Sequence, residues 1–167
     1  MTEQKISFVS KDATLVGIVR LPKDLQSNEK RPAIIVLHGF GSNKSAENVL
    51  GPCAVLETLG YITLRFDFLG CGESEGTRGN LICMDQVHNT QDALTFLGKH
   101  PHVKPEQIGL IGSSFGAAVA VYAGAIDTRV AATISSGGWG HGERKFKGQH
   151  PTPKDWEKFT SMLKRGK

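Results

Sequence analysis

The five residues Gly112-Ser113-Ser114-Phe115-Gly116 constrain this chain more than any other segment. They close an apolar run, Ile108-Gly109-Leu110-Ile111, and open a run of small residues, Ala117-Ala118-Val119-Ala120-Val121. The first run reads as a buried strand and the second as a helix, so the chain must turn from one into the other at once. G-x-S-x-G in that setting is a nucleophile elbow, in which the central serine sits on a strained turn at the end of a sheet. A side chain at either flanking position would collide with neighbouring backbone, whereas glycine removes the clash and tolerates unusual dihedrals. Ser114 is therefore the candidate nucleophile and Ser113 its neighbour. The bare pattern also arises by chance in surface loops; the strand before it and the helix after it give it weight.

The rest of the chain supplies a matching framework. Lys5–Val9 and Thr14–Leu21 are β-rich and joined by Lys11-Asp12, which predicts a hairpin. Ala33–Leu37 is an unbroken apolar run, expected of a strand buried on both faces. Ser45–Leu59 has helical character with a late start or a kink at Pro52, and Tyr61–Phe66 reads as the next strand. Asn80–Leu97 predicts a helix with Met84, Val87, Leu94 and Leu97 on its buried face. Gln107–Ile111, the elbow, a helix to Ala125 and a strand at Val130–Ile134 follow. Strict alternation after the hairpin predicts an α/β fold, a predominantly parallel sheet with helices on both faces. Beyond Ile134 the alternation stops. Trp156, Phe159, Met162 and Leu163 predict one amphipathic helix after Pro153, with His150 in a Gly/Pro-rich loop. At 167 residues, a single domain with a real core is expected.

Two other motifs lie where sheet strands end. His38-Gly39-Phe40-Gly41 follows directly on Ala33–Leu37. Acyl transfer passes through a tetrahedral oxyanion, which needs N–H donors already in place where the charge develops. The residue after the nucleophile, Phe115, supplies one; Phe40, in the loop after the earlier strand, is the natural second donor. Without the elbow, the same residues would be an ordinary strand-to-helix turn with a structural loop histidine, and His38 itself is read in that structural role. Asp67-Phe68-Leu69-Gly70-Cys71-Gly72-Glu73-Ser74 ends the Tyr61–Phe66 strand, and its glycines predict a tight loop near the edge where ligands bind in open α/β sheets. Asp67 is read as loop scaffolding rather than a catalytic acid. Cys71 has no residue placed to activate it as a nucleophile. A small nucleotide-binding domain of flavodoxin type is the rival fold, but HGFGSNKS is a poor phosphate loop and no dinucleotide fingerprint is present.

HGFG, DFLGCGES and GSSFG, in that order, resemble the α/β-hydrolase superfamily, and within it esterases and serine aminopeptidase-like hydrolases of the feruloyl-esterase kind. The resemblance covers about residues 5–138. It implies a mixed sheet whose early antiparallel strands precede parallel ones, Ser114 as nucleophile, and the N–H groups of Phe40 and Phe115 as the oxyanion hole. It also implies that residues 139–167 begin a cap or lid on a core at 1–138. The expected reaction is cleavage of an ester or amide in a small-molecule ester or short peptide, through an acyl-enzyme on Ser114. In this superfamily the acid and histidine follow the nucleophile on loops after two further strands. This chain has no such strands, so the fold is expected to be truncated before the last two and inactive alone. The acids after Ser114 are Asp127, Glu143, Asp155 and Glu157, and the histidines are His141 and His150. His141 is the candidate base, with His150 as the other choice. The strand at Val130–Ile134 is expected to be an uncovered edge that invites self-association or a complementary chain. A non-catalytic partner-binding module derived from a hydrolase is accordingly the alternative function.

Charge and cysteine content bear on partners and compartment. The formal net charge is +4, and from His141 onward eight Lys/Arg face three Asp/Glu. These positive residues are scattered among Gly, Pro and single aromatics, which reads as a solvated face rather than a nucleic-acid site. Cys53, Cys71 and Cys83 form no regular pattern and are expected to be reduced thiols, with no metal pair among them. A polar N-terminus and the absence of a membrane-length apolar stretch lead to an expected cytoplasmic location with no membrane partner. No cofactor is implied.

Overall fold

Six runs become strands in the computed structural model, which describes residues 2–165: β1 (Thr2–Ser10), β2 (Ala13–Leu21), β3 (Arg31–Leu37), β4 (Ile62–Phe66), β5 (Val103–Ser113) and β6 (Val130–Ser136). They form one sheet in the order β1-β2-β4-β3-β5-β6. The β1–β2 hairpin turns at Lys11–Asp12, where Lys11 takes a left-handed φ of 53°. β2 pairs antiparallel with β4, whereas the β4–β3, β3–β5 and β5–β6 pairs are parallel. Antiparallel strands at one edge thus lead into parallel ones.

Helices α1 (Glu47–Thr58), α2 (Cys83–Gly98) and α3 (Phe115–Ile126) cover this sheet. Successive side chains of a strand point to opposite faces, and β3 shows the consequence. Ile35 and Leu37 enter the larger core with Val87, Leu94 and Leu97 of α2 and Val119, Ala120 and Ala123 of α3. Val36 and Ile34 lie on the other face with Val49 and Cys53 of α1. An unbroken apolar run is what a strand covered on both sides requires. The small residues of α3 serve a different end: Ala117, Ala120 and Ala123 are fully buried, letting the helix axis approach the sheet closely.

Several boundaries move. α1 begins at Glu47 and carries Pro52 within it. α2 begins at Cys83 rather than Asn80, because Thr77–Asn80 closes a turn and Ile82 is extended. Met84, expected on the buried face of α2, is exposed. The tail holds two helices where one was expected: α4 (Gly142–Gln149) precedes α5 (Pro153–Arg165). His150 is therefore the C-terminal cap of α4 and not part of an open loop. Glycines at 142 and 148 had hidden a helix whose register is visible only through Phe146, which stacks on Phe159 of α5. No residue of either helix is buried. Met1, Gly166 and Lys167, counted in the polar N-terminus and basic tail, lie outside the described residues.

β6 pairs only with β5 among the described residues. Six of its seven residues are exposed, with Ile134 at 55%.

Candidate active site

The turn between β5 and α3 builds the site from backbone outward. Ser114 has φ 54° and ψ −114°, a left-handed conformation that costs an ordinary residue about 1–2 kcal/mol. Its carbonyl accepts from the Ala117 and Ala118 N–H groups at 3.1 and 3.3 Å, starting the helix. Its own N–H donates to the Ser136 carbonyl of β6 at 2.8 Å. Glycine on either side is required by space: a Cβ on Gly112 would overlap the Gly116 backbone, and one on Gly116 would stand 2.6 Å from the Leu37 carbonyl oxygen. The strained serine is thus held between two strands and one helix.

The loop after β3 lies against this turn. A Cβ placed on Gly39 would sit 3.5 Å from the Ser114 Cβ, and the Phe40 and Phe115 rings meet edge to face with centroids 6.0 Å apart. Neither the Phe40 N–H nor the Phe115 N–H has an acceptor among the described residues. For Phe115 the reason is general, since the first N–H groups of a helix have no partner within it.

Two buried contacts fasten that loop to the one after β4. His38 is 1% exposed. Its Nδ1 lies 2.8 Å from the Gly39 carbonyl, and its Nε2 accepts the Phe68 N–H at 3.2 Å. A neutral ring donating from Nδ1 satisfies both partners, and burial holds its pKa below the ordinary histidine value. Beside it, the Lys44 ammonium meets Asp67 Oδ2 and Glu73 Oε2, each at 2.5 Å. Asp67 also accepts the N–H groups of Lys44 and Glu73 at 2.7 and 2.8 Å. Burial pulls the Lys44 pKa down, but the bonds to Asp67 and Glu73 outweigh it and raise it above normal. The sequence reading missed Lys44; the signal was a cation in the loop after one strand and an acid directly after the neighbouring strand. Cys71 is buried in the same loop, with its thiol pushed upward by burial and then by Asp67, which disfavours a thiolate.

A groove of about 840 Å³ opens at Ser114. Phe40, Phe115, Tyr122, Trp139 and Phe146 are among the residues that line it, and His141 lies on the same wall. His141 caps α4, its Nδ1 accepting the Arg144 N–H at 3.2 Å. His150 does not reach the groove: its Nδ1 lies 2.9 Å from the Phe146 carbonyl and its ring stacks on Phe159 at 4.5 Å. Asp127 sits at the far end of α3, about 20 Å along the helix from Ser114 at 1.5 Å per residue. It is taken up by Arg129, whose Nε and Nη2 reach its two oxygens at 2.9 and 2.6 Å, and that partner lowers its pKa to about 2. Of the sequence-derived candidates, Ser114, Phe40, Phe115 and His141 thus share one groove, while His150 and Asp127 stand apart. No cluster of His, Cys, Asp and Glu suited to a metal ion occurs among the described residues, and none of the described helices is long and apolar enough to cross a membrane.

A family profile described as serine aminopeptidase, S33, matches residues 28–165. The chain belongs to this hydrolase family. It is 36% identical over 139 residues to the polyketide transferase ATR5 of Stachybotrys chlorohalonatus, covering 81% of this chain and 44% of that protein. It is 38% identical over 107 residues to the thiohydrolase aneE of Aspergillus aculeatus, covering 62% and 33% respectively. Its backbone superposes on the alpha/beta hydrolase GrgF of Penicillium sp. sh18 with a TM-score of 0.74 at 29% identity, covering 81% of this chain and 45% of that one. The mixed sheet is accordingly the α/β-hydrolase fold, and the chain spans less than half the length of these relatives.

Proposed function

We propose that the site carries out acyl transfer from an ester or thioester through Ser114. The observation that carries this reading is the strained serine at the head of α3, beside two unbonded N–H groups at the mouth of an apolar groove. Ser114 Oγ attacks the carbonyl carbon, and its proton passes to a base. The carbonyl oxygen gathers negative charge facing the N–H groups of Phe40 and Phe115. Collapse breaks the bond to the leaving oxygen or sulfur, which takes the proton from the base. Water, or another acceptor, then releases the acyl group from Ser114. His141 is the base within this chain, since His38 has both ring nitrogens engaged in the interior and His150 lies outside the groove.

The groove also favours an ester or thioester over a peptide. Cleavage at a free amino terminus calls for a carboxylate to meet the substrate ammonium, yet the groove lining contains no Asp or Glu. Apolar and aromatic side chains dominate it, which suits an acyl chain or an aromatic acid. The relatives named as a thiohydrolase and a polyketide transferase lie on the same side of that choice.

The test is intact mass after incubation with a fluorophosphonate, beside Ser114→Ala and His141→Gln. A single adduct on the parent, none on Ser114→Ala and slow labelling of His141→Gln is the expected result. Labelling unchanged in His141→Gln transfers the base role to a group outside this wall. No adduct on folded protein defeats catalysis by the chain alone. A second reading, a partner-binding module, then gains from β6, an uncharged strand with one unpaired edge among the described residues.

A further inference from the structure

The wall of the groove formed by α4 carries a charge pattern that acyl transfer by itself does not require. Lys145 is the one formally charged side chain in the lining of the Ser114 groove, aside from the titratable His141. A second concavity of about 370 Å³ adjoins it, lined by Trp139, Gly140, His141, Arg144 and Lys145. The two share Trp139, Gly140, His141 and Lys145, so they are parts of one surface, apolar at the serine and cationic beyond Trp139.

The cations there are not spent on internal partners. The acid on α4, Glu143, pairs with Lys147 at 2.7 Å. Among the described residues neither Arg144 nor Lys145 has a carboxylate within ion-pair reach. Lys145 instead lies over the Trp139 ring, its Nζ 5.5 Å from the centroid. That contact holds an ammonium beside an apolar surface without neutralising it. The end of α4 adds little, because His141 already caps the Arg144 N–H. The positive potential is therefore a side-chain property, with an Arg fork able to grip an oxyanion through two N–H groups and a Lys as a point charge.

We propose that Arg144 and Lys145 bind the oxyanion of an amphipathic ligand whose apolar chain lies along the Ser114 groove. This rests on the reading of that groove as the acyl site, and it narrows the substrate to an anionic ester or thioester. A carboxylate at the far end of the acyl chain and a phosphate on the leaving group present the same chemistry to these two residues.

Direct binding separates this from the catalytic reading. Trp156→Phe leaves Trp139 as the sole tryptophan reporter, and Ser114→Ala removes serine reactivity. In that background, decanoate, decyl phosphate and decanol are titrated below their micelle concentrations, following Trp139 fluorescence. Both anions are expected to bind about tenfold tighter than decanol, and the added pair Arg144→Gln/Lys145→Met to remove that advantage while leaving decanol binding unchanged. Raising the salt from low to physiological concentration should narrow the gap. A tighter decyl phosphate assigns the anion to the leaving group, and a tighter decanoate assigns it to the acyl chain. Equal affinity for decanol and both anions overturns the proposal, as does an anion preference that survives the double substitution. Should the double variant lose decanol as well, Arg144→Lys/Lys145→Arg decides: the anion preference must persist there, and its loss overturns the proposal. A fluorophosphonate failure with intact anion binding rejects only the catalytic reading.

Discussion

The two walls of the Ser114 groove are built to different standards. One wall is the elbow and the loop after β3. Its serine is clamped by Ser136 and the first turn of α3, and its loop is tied down by His38 and by the buried Lys44–Asp67 pair. The other is α4, which has no buried residue and meets its surroundings through Lys145 on Trp139, Phe146 on Phe159 and its cap His150 on Phe159. The first wall holds Ser114 and the Phe40 and Phe115 loops in place, the preorganisation that the proposed acyl transfer would call for. The second bears the groove's candidate base on a helix held only by surface contacts, so its position is the softer variable. The groove of about 840 Å³ is thus preorganised at Ser114 and softer at His141, the proposed base.

The sharpest way to break this contrast is Gly116→Ala. Its new Cβ would stand 2.6 Å from the Leu37 carbonyl, a backbone atom with no freedom to yield. A loss of about 4 kcal/mol or more in urea-measured stability is expected, in the range reserved for severe strain. A loss below about 1 kcal/mol would mean the elbow wall is no more rigid than α4. Lys44→Met is next. It leaves Asp67, fully buried, without its ammonium partner, and removing one member of a buried pair costs about 3–5 kcal/mol. Asp67→Asn in the same background should recover part of that loss; no recovery would assign the effect to Lys44 packing alone.

A pH titration probes the same wall more gently. His38 is buried with its pKa held below 6.5, so the unfolded chain binds the histidine proton more readily than the folded one. The stability this neutral ring contributes is fully present above about 6.5 and is lost as pH falls from there toward the folded value. Protonation would turn Nε2 from an acceptor into a donor facing the Phe68 N–H. The melting temperature should therefore fall as the pH drops below about 6.5, with a flatter acid slope in His38→Gln. An equal slope in the variant would show that other groups govern the acid limb. On the other wall, His150→Ala should cost about 0.5–1 kcal/mol at most, since the stack on Phe159 is only half-buried.

The difference between the walls also explains what the sequence made legible. The tight strand-to-helix turn at Ser114 could be read because steric rules force glycine at 112 and 116, the doubly covered strand from the apolar run at Ala33–Leu37, and the predominantly parallel sheet from alternation. The structural role read for His38 accords with its contacts: both ring nitrogens are turned inward. Lys44 escaped notice because its partner, Asp67, is distant in sequence and adjacent only once β3 and β4 lie side by side. α4 was missed for the opposite reason. Its eight residues include two glycines and one large apolar side chain, Phe146, so periodicity is faint and the stack on Phe159 is visible only in the structure. Local rules reveal what backbone sterics dictate; long-range pairs and surface helices leave little trace.

The walls meet at β6, and the smallest expected effect on stability falls there. Ser136 accepts the Ser114 N–H, so the strand is part of the elbow, yet its outer edge is unpaired among the described residues and its sequence, Val130 to Ser136, carries no charge. Natural edge strands are usually protected by a charge, a proline or a bulge, and none of the seven residues provides charge or proline. In an antiparallel pairing of two such edges centred on Thr133, Ala132 would face Ile134 and no like charges would meet. Concentration-dependent self-association is therefore expected by sedimentation velocity. Thr133→Lys would place two ammonium groups opposite each other and shift the protein to monomer, with unfolding free energy changed by only about 0.5 kcal/mol because the site is exposed. Association undiminished in Thr133→Lys would move the contact from this edge to the exposed apolar residues of α5, Met162 and Leu163. The elbow wall would then be rigid without any help from a neighbouring strand.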